Sequence, residues 1–368
     1  MVNIELHMIA SFHRTAPCPA QNMEQKNEES SASRNHSTLP LVWLLATGGT
    51  IAGKGASSTS LTEYRGSTLL GSDLLASVPE IARYAEVRAE QVTNVASPNV
   101  TVEAWRTLAR RIDAIFSSDP RVAGIVITHG TSTLEETAYF LHLTVRHDRP
   151  VVVVGSQRPA TAISADGPLN LLNAVRTAAA PQARGKGVLV VMNDEINGAR
   201  EVTKSNTYRV ETFRSGELGF LGYVDEDRVT FYRQSTRRHT ADSEFDVRNV
   251  TTFPRVEIVA SYAHASVAPL RALAHEGVDG IVIAAPGAGS LSDAELAALK
   301  EIVARSDAPI VVRSSRTGNG RVTRRKAFDA LGLIPADNLS PQKARILLML
   351  ALTKTRKYEE IARMFDEY

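Results

Sequence analysis

Hydroxyl side chains concentrate in the stretch THGTSTLEET, residues 128–137, between the apolar run GIVI and the segment AYFLHLTV. One interpretation is structural: Ser132 and Glu135 form a capping box, in which two side chains bond backbone amides at a helix start. The other is chemical, because hydroxyl groups at the end of a buried strand can face a substrate. The rest of the sequence has to decide between them.

A further hydroxyl, that of Thr50, follows two glycines in ATGGTIAGKG. The spacing of Gly48, Gly53 and Lys54 approaches that of a phosphate-binding loop, but Gly55 stands where Ser or Thr would hold magnesium. The pattern G-x-G-x-x-G of a dinucleotide site is not matched either. A nucleophile loop is the better interpretation, because glycines let the backbone approach a ligand closely and AGKGASSTSLTEY could form a mobile lid.

The elements that must position these residues alternate along the chain. Apolar runs at 41–46, 123–130, 149–159 and 185–194 predict buried parallel strands, and helix-like segments separate them. This alternation predicts a doubly wound α/β sheet. The loops ATGGT, THGTST, GSQRP and MNDE follow strand ends, where ligands bind in such sheets. Four polar loops at one edge predict a site more strongly than any single loop does.

A polar stretch from 225 to about 254 predicts a strand and then a linker, after which a second, smaller α/β domain follows. We therefore expect two doubly wound α/β domains, the larger N-terminal one with a mostly parallel sheet. From Gln21 to Thr38 the sequence is polar and rich in Ser, Asn and Glu, which predicts disorder. The expected divisions are an N-terminal extension at 1–38, a domain at 39–233, a linker at 234–253 and a domain at 254–368.

Composition narrows the classes of function. With 43% hydrophobic and 22% charged residues the chain of 368 residues has a normal globular composition. The net charge of +2 gives no strong field toward nucleic acid or an acidic membrane. No apolar run approaches a membrane span, and the nine histidines show no metal-ligand spacing. We expect no metal, no nucleic acid and no membrane partner.

The N-terminus bears on location. Residues 1–40 lack the continuous apolar region of a secretory signal, which predicts the cytoplasm and leaves the periplasm as the alternative. The single cysteine, Cys18, cannot form an internal disulfide, so cysteine usage leaves the redox compartment open.

Two motifs together, LLATGGTIAGKG and ITHGTSTLEETAYFL, resemble the bacterial-type L-asparaginase/glutaminase family, the asparaginase 1 family. The similarity continues through VGSQRPATAISADGPLNLLNAV, VMNDEINGAREVTKSNTYRVETFRSGELG and SPQKARILLMLALTKT, so it spans about 41–368. The resemblance implies two α/β domains and a cofactor-free amidohydrolase that releases ammonia from a small amide. It also implies a homotetramer of intimate dimers, with each active site between the N-terminal domain of one subunit and the C-terminal domain of its partner.

The resemblance assigns catalytic roles to four residues. Thr50 matches the nucleophile that forms an acyl-enzyme, and Tyr64 matches the lid tyrosine that helps to activate it. Thr131 matches the second threonine, and Lys204 matches the lysine that pairs with it. A buried lysine can have a lowered pKa and serve as a base. Without the resemblance, Thr50 could merely cap a helix, and Tyr64 and Lys204 would more often be surface groups.

Departures from the family pattern fall in the subsite for the α-ammonium group of the substrate. Ser132 stands where the family normally has an aspartate, and Pro98 replaces a glutamine beside Ser97, which matches the carboxylate-binding serine. His264 replaces an asparagine that the partner subunit offers. Residues 324–326 are Arg-Arg-Lys near the position of a further acidic residue.

These departures leave three hypotheses open. The chain is an asparaginase with weakened affinity, or an amide hydrolase for a substrate whose α-nitrogen is absent or substituted, or a noncatalytic ligand-binding paralogue. Retention of Thr50, Tyr64, Thr131 and Lys204 together favours catalysis, because a sensor has no need for a nucleophile, its activator and a base. In each case the apolar segment 344–352 suits either a subunit contact or a buried core helix.

Overall fold

The computed structural model describes residues 39–368. The disordered extension expected at 1–38, together with Cys18, lies outside the described residues. The described strands are β1 Leu41–Ala46, β2 Lys54–Gly55, β3 Tyr64–Arg65, β4 Glu86–Gln91, β5 Val122–Thr128, β6 Val151–Val154, β7 Val188–Met192, β8 Glu195–Gly198, β9 Thr203–Lys204, β10 Phe213–Arg214, β11 Gly222–Val224, β12 Val229–Phe231, β13 Val256–Ala260, β14 Gly280–Ala285, β15 Ile310–Ser315 and β16 Ile334–Pro335. The described α-helices are α1 Gly71–Ala76, α2 Val102–Ser118, α3 Leu134–Thr144, α4 Gly167–Ala179, α5 Ala268–His275, α6 Asp293–Val303, α7 Lys326–Asp329, α8 Pro341–Leu352 and α9 Tyr358–Glu367.

The larger sheet has the strand order β12-β11-β8-β7-β6-β5-β1-β4. Its strands from β7 to β4 are parallel, and β8, β11 and β12 add antiparallel pairs at the other end. Side chains alternate between two cores: Ile125 and Ile127 pack with α2 and α3, whereas Val126 packs with α4. Both faces are thus covered, as the continuous apolar strands require. The predicted doubly wound, mostly parallel sheet is confirmed.

The smaller sheet contains β13, β14, β15 and β16, all parallel, and confirms a smaller α/β unit in the C-terminal part. Helices α5 and α6 cover one face, while α8 covers the other. The α8 residues from Ile346 to Ala351 are all buried inside the chain, in the core that α3 also joins. Burial within a core helix therefore accounts for the apolar sequence at 344–352.

The segment expected as a linker, 234–253, is folded onto the protein. It contains a short 3-10 turn at Thr240–Asp242, and its Phe245 and Val247 are buried in the core that joins the two sheets. Even its polar residues Thr240 and Ser243 are buried, so the composition suggested a more solvated connection than the structure has.

The polar loops meet at one edge of the larger sheet, as expected. The Thr47 side chain and amide both donate to the carbonyl of Thr128, and the amide of His129 donates to the carbonyl of Val154. These bonds align the carboxyl ends of β1, β5 and β6. Among residues 39–368, the helices are all too short or too polar to cross a membrane.

Candidate active site

Two glycine contacts bring the loops after β1 and β5 together. Gly48 and Gly49 have φ values of +101° and +89°, in the left-handed region that L side chains rarely adopt. A Cβ atom on Gly49 would lie 2.3 Å from the backbone of Gly130, and one on Gly130 would lie 2.8 Å from the Ser97 side chain. Glycine at both positions therefore lets the two loops touch backbone to backbone.

Thr50 begins a 3-10 turn at Thr50–Ala52, directly after this contact. Its Oγ1 lies 2.8 Å from the hydroxyl of Tyr64, and either atom can be the donor. Tyr64 belongs to the hairpin of β2 and β3, and Gly53 leaves room for its ring, because a Cβ atom there would lie 2.9 Å from the ring. The segment 56–63 of this hairpin is largely exposed.

Thr131 and Lys204 form a second pair. Lys204 Nζ lies 2.7 Å from Thr131 Oγ1, and Thr131 is buried while Lys204 is half-buried. Burial lowers the pKa of the Lys204 ammonium below its ordinary value, because the charged form loses hydration. A charged Lys204 donates to the Thr131 oxygen, whereas a neutral Lys204 can accept the Thr131 proton. The pair is therefore suited to move a proton.

The capping box predicted for Ser132 and Glu135 is wrong. Helix α3 begins at Leu134, its cap residue is Thr133, and no side chain caps it. The amide of Ser132 donates to Ser97 Oγ at 3.2 Å, and Glu135 bonds to a different strand. The hydroxyl that fixes this loop is that of Thr133, which donates to the carbonyl of Ser97 at 2.8 Å.

This arrangement leaves two hydroxyl groups available for a ligand. Ser97 is buried and its Oγ accepts from the Ser132 amide, so its own proton remains to be donated. The Ser132 side chain is exposed and is not committed to the helix. Pro98 sits exposed in the 3-10 turn Ser97–Asn99 and has no side-chain polar atom.

His264 is not part of this cluster. It lies in the exposed turn after β13, in the C-terminal part of the chain, and has a φ of +60°. Asn, Asp and His are the side chains that tolerate such a backbone best. Arg324, one of the basic residues at 324–326, forms an ion pair of 3.2 Å with Asp366 of the same chain.

The sequence did not reveal a buried hydrogen-bonded chain that supports the Gly130 loop. Trp105 Nε1 donates to Thr137 Oγ1 at 2.7 Å, and Thr137 in turn bonds to His129 Nε2 at 2.8 Å. His129 Nδ1 donates to the carbonyl of Gly130 at 2.8 Å. Trp only donates and a carbonyl only accepts, so Nδ1 of His129 carries a proton; in a neutral ring, Nε2 then accepts from the Thr137 hydroxyl.

Burial lowers the pKa of His129 to about 4, in keeping with a neutral ring. The sequence signal for this support was the histidine immediately before Gly130. Its two partners, however, come from α2 and α3, which no local pattern links to the loop.

A cavity of about 850 Å³ lies on another part of the chain. Its walls come from residues 200–203, 215–221, 233–237, 315–321 and 337–343, and they include Thr203 and Lys343 but neither threonine pair. Within residues 39–368, no group of three His, Cys, Asp or Glu side chains is arranged to hold a metal ion.

Comparison with known proteins gives a consistent family. The model of the asparaginase N-terminal domain matches residues 41–237, and that of the glutaminase/asparaginase C-terminal domain matches residues 255–365. L-asparaginase 2 of Bacillus subtilis (strain 168) is 47% identical over 354 residues, which cover 96% of this chain and 93% of that protein. L-asparaginase 2 of Escherichia coli (strain K12) is 45% identical, covering 90% of this chain and 94% of that protein.

Two further relatives bear on location. A probable periplasmic L-asparaginase of Haemophilus influenzae is 44% identical and covers 91% of this chain and 95% of that protein. The crystal structure of a probable cytoplasmic L-asparaginase from Campylobacter jejuni superimposes with a TM-score of 0.86 at 43% identity, over 89% of this chain and 99% of that chain. The relatives are thus described in both compartments.

Proposed function

Since the chain belongs to the asparaginase family and is an asparaginase-type amidohydrolase, we propose that it releases ammonia from L-asparagine, or a closely related small carboxamide, through an acyl-enzyme on Thr50. The observation that carries the proposal is the pair of short contacts, Thr50 to Tyr64 at 2.8 Å and Thr131 to Lys204 at 2.7 Å, on loops that touch. Each contact joins a hydroxyl to a group that can exchange a proton with it.

The proposed reaction has two steps. Thr50 Oγ1 forms a bond to the carbonyl carbon of the side-chain amide, its proton passes to a neighbouring base, and the C–N bond breaks as ammonia leaves with a proton. Water then attacks the Thr50 ester, which yields a carboxylic acid and restores the hydroxyl. Tyr64 lies within reach of the Thr50 proton, and the lowered pKa of Lys204 suits a base in either step.

The remaining residues define the substrate subsite. We propose that Ser97 donates its free hydroxyl proton to a substrate carboxylate, since its oxygen is already occupied by the Ser132 amide. Ser132 and Pro98 provide no negative charge and no amide group for an ammonium. A desolvated ammonium without a counter-charge binds poorly, so we further propose a preference for amides whose α-nitrogen is missing or substituted.

His264 and the assembly belong to the same proposal. We propose that His264 reaches the active site of a partner subunit in a homotetramer built from intimate dimers, as the family resemblance implies. The exposure of His264 and its place in the C-terminal part of the chain support this. We also keep the cytoplasm as the proposed location, since the Campylobacter jejuni neighbour is described as probably cytoplasmic. Sedimentation of an active monomer would contradict the assembly.

The test of the function is ammonia release from asparagine, glutamine, their N-substituted forms and des-amino analogues such as succinamate. Thr50→Ala should reduce turnover of the best substrate by at least about a thousandfold, because the nucleophile is lost, while the protein stays folded by circular dichroism. Thr252→Ala, at an exposed threonine outside these loops, is the control and should leave turnover unchanged. Wild-type turnover in Thr50→Ala would refute the acyl-enzyme, and no ammonia from any amide would favour the ligand-binding paralogue.

A further inference from the structure

Glu135 is a buried carboxylate that the proposed reaction does not use. It lies on the first turn of α3, only four residues after Thr131, and is 6% exposed. Its Oε1 accepts from Thr203 Oγ1 at 3.0 Å and from the amide of Lys204 at 3.3 Å. Glu135 therefore joins the helix that follows Thr131 to the short strand β9 that carries Lys204.

This bond closes a ring. Lys204 is held by Glu135 through its backbone and by Thr131 through its ammonium group. Thr131 and Glu135 are in turn connected by the covalent chain and the start of α3. Because strand β9 has only two residues and a single two-residue partner, β10, its own ladder gives it little support. The carboxylate supplies a support that the ladder lacks.

The counter-charge comes from the other part of the chain. Lys343, in the first turn of α8, is 2% exposed, and its Nζ lies 3.9 Å from Glu135 Oε2, a charge contact without a hydrogen bond. The same Nζ donates to the carbonyls of Arg200 and Val202, at 2.8 Å and 2.5 Å. These carbonyls immediately precede β9, so Lys343 fixes the chain that leads into Lys204.

We infer that Glu135 and Lys343 are positioning residues for Lys204, and that α8 of the C-terminal part thereby sets the alignment of the Thr131–Lys204 pair. This inference rests on the proposed role of that pair. A buried ion pair is by itself weak evidence for stability. Here, however, both residues bond the segment 200–204 and so fix the position of the Lys204 side chain. Misplacement of a catalytic group by about 1 Å can cost on the order of a hundredfold in rate.

The burial of Lys343 agrees with this role. Desolvation lowers the pKa of Lys343 to about 8, and the nearby charges of Glu135 and Glu201 oppose that shift while Arg200 adds to it. Lys343 therefore keeps its proton near neutral pH because acidic groups face it.

The first variant for the test is Glu135→Gln, which preserves shape but removes the charge. We expect kcat for the best amide to fall by about tenfold or more while KM changes by less than about threefold, because alignment and not substrate contact is lost. The acidic limb of the kcat–pH profile should move to higher pH, because a loosened Lys204 regains water and its lowered pKa rises toward its ordinary value. A loss of stability that leaves Lys204 in its place would not move this limb.

The second variant, Thr203→Val, removes only one hydroxyl donor to Glu135 and keeps the shape of the side chain. It should shift the limb in the same direction, with a loss of about threefold in kcat. This variant decides the question if Glu135→Gln fails to fold. Glu135→Gln combined with Lys343→Met should be less damaging than the product of the two single losses, because the residues act as a pair.

The matched control is Glu295→Gln. Glu295 is 3% exposed and accepts two bonds from Ser292 at the start of α6, away from β9. It should lower the melting temperature without changing kcat or the limb. Suppose that Glu135→Gln and Thr203→Val keep the wild-type kcat and the wild-type acidic limb of the pH profile, while Lys204→Met is inactive. That result would overturn this inference alone. If Lys204→Met keeps the wild-type kcat, the role of Lys204 and this inference are both wrong. The proposed function is tested separately, by whether the unmodified protein releases ammonia from an amide.

Discussion

The two threonine pairs of the candidate site stand in opposite surroundings. Thr50 and Tyr64 lie on a glycine-rich turn and a two-residue hairpin whose tip is exposed. Thr131 and Lys204 lie beside a buried helix, and the bonds of Glu135 and Lys343 fix the chain around Lys204. The first pair is supported by few contacts, while the second is supported from both parts of the chain.

This difference separates two physical requirements of the same reaction. A substrate has to enter, so one side of the site needs a segment of low local stability that can open. Proton transfer needs fixed distances, so the other side needs groups whose positions are set before the substrate binds. We interpret the hairpin as the entry side and the Thr131–Lys204 pair as the fixed side.

The largest effect that bears on this comparison is expected from Lys204→Met, which removes the ammonium but keeps most of the side-chain length. Loss of a general base costs about a hundredfold to ten-thousandfold in rate, so kcat should fall by at least about a hundredfold. Lys300→Met, at an exposed lysine of α6, should leave kcat unchanged. A loss of less than about tenfold would mean that the fixed side is not the source of the base.

The wild-type pH profile sharpens the same point. Burial lowers the pKa of Lys204, so the neutral form that accepts a proton becomes available at a lower pH than for an ordinary lysine. The kcat for the best amide should therefore rise with pH and reach its plateau below the ordinary lysine pKa of about 10.4. A kcat that rises with the ordinary pKa of a lysine would contradict the assignment of Lys204 as the base.

A smaller effect is expected on the entry side, from Tyr64→Phe. The change removes the hydroxyl that lies 2.8 Å from Thr50 Oγ1, and kcat should fall by about tenfold to a hundredfold, because one hydrogen bond to the nucleophile is lost. Tyr232→Phe, at a tyrosine that is 70% exposed, is the control. If Tyr64→Phe costs as much as Lys204→Met, the two sides do not differ in the way described.

The sequence anticipated the fold, because the order of its elements depends on local signals. Apolar runs that end in glycines marked β1 and β5, and the polar loops after them converge as parallel strands require. The motifs also singled out Thr50 and Lys204, whose catalytic roles are proposals. Such signals need only neighbouring residues.

The parts that sequence did not anticipate depend on long-range contacts. Ser132 and Glu135 have the spacing of a capping box, yet Glu135 instead accepts bonds from residues 203 and 204 and faces Lys343. The carboxylate of Glu135 bonds the half-buried strand β9 and faces a buried ammonium group, while the Ser132 amide bonds Ser97 instead. The same holds for His129, whose support comes from Trp105 on a different helix through Thr137.

The smallest effect is expected in the subsite between the two pairs, where Ser132 and Pro98 replace the family's aspartate and glutamine. Ser132 is exposed and bonds Ser97 only through its amide, so an aspartate there can keep the loop and add a charge. Ser132→Asp with Pro98→Gln should lower KM for L-asparagine by about tenfold, since a charged hydrogen bond contributes roughly 1.5–3 kcal/mol. Turnover of des-amino amides such as succinamate should not improve, because they have no ammonium. Ser132→Asn, which has the shape of an aspartate without the charge, should lower KM less.

An unmodified protein that already hydrolyses free L-asparagine with a micromolar KM would show that other groups bind the ammonium. The preference for amides without a free ammonium would then be wrong. The assignment of the two threonine pairs would not be affected.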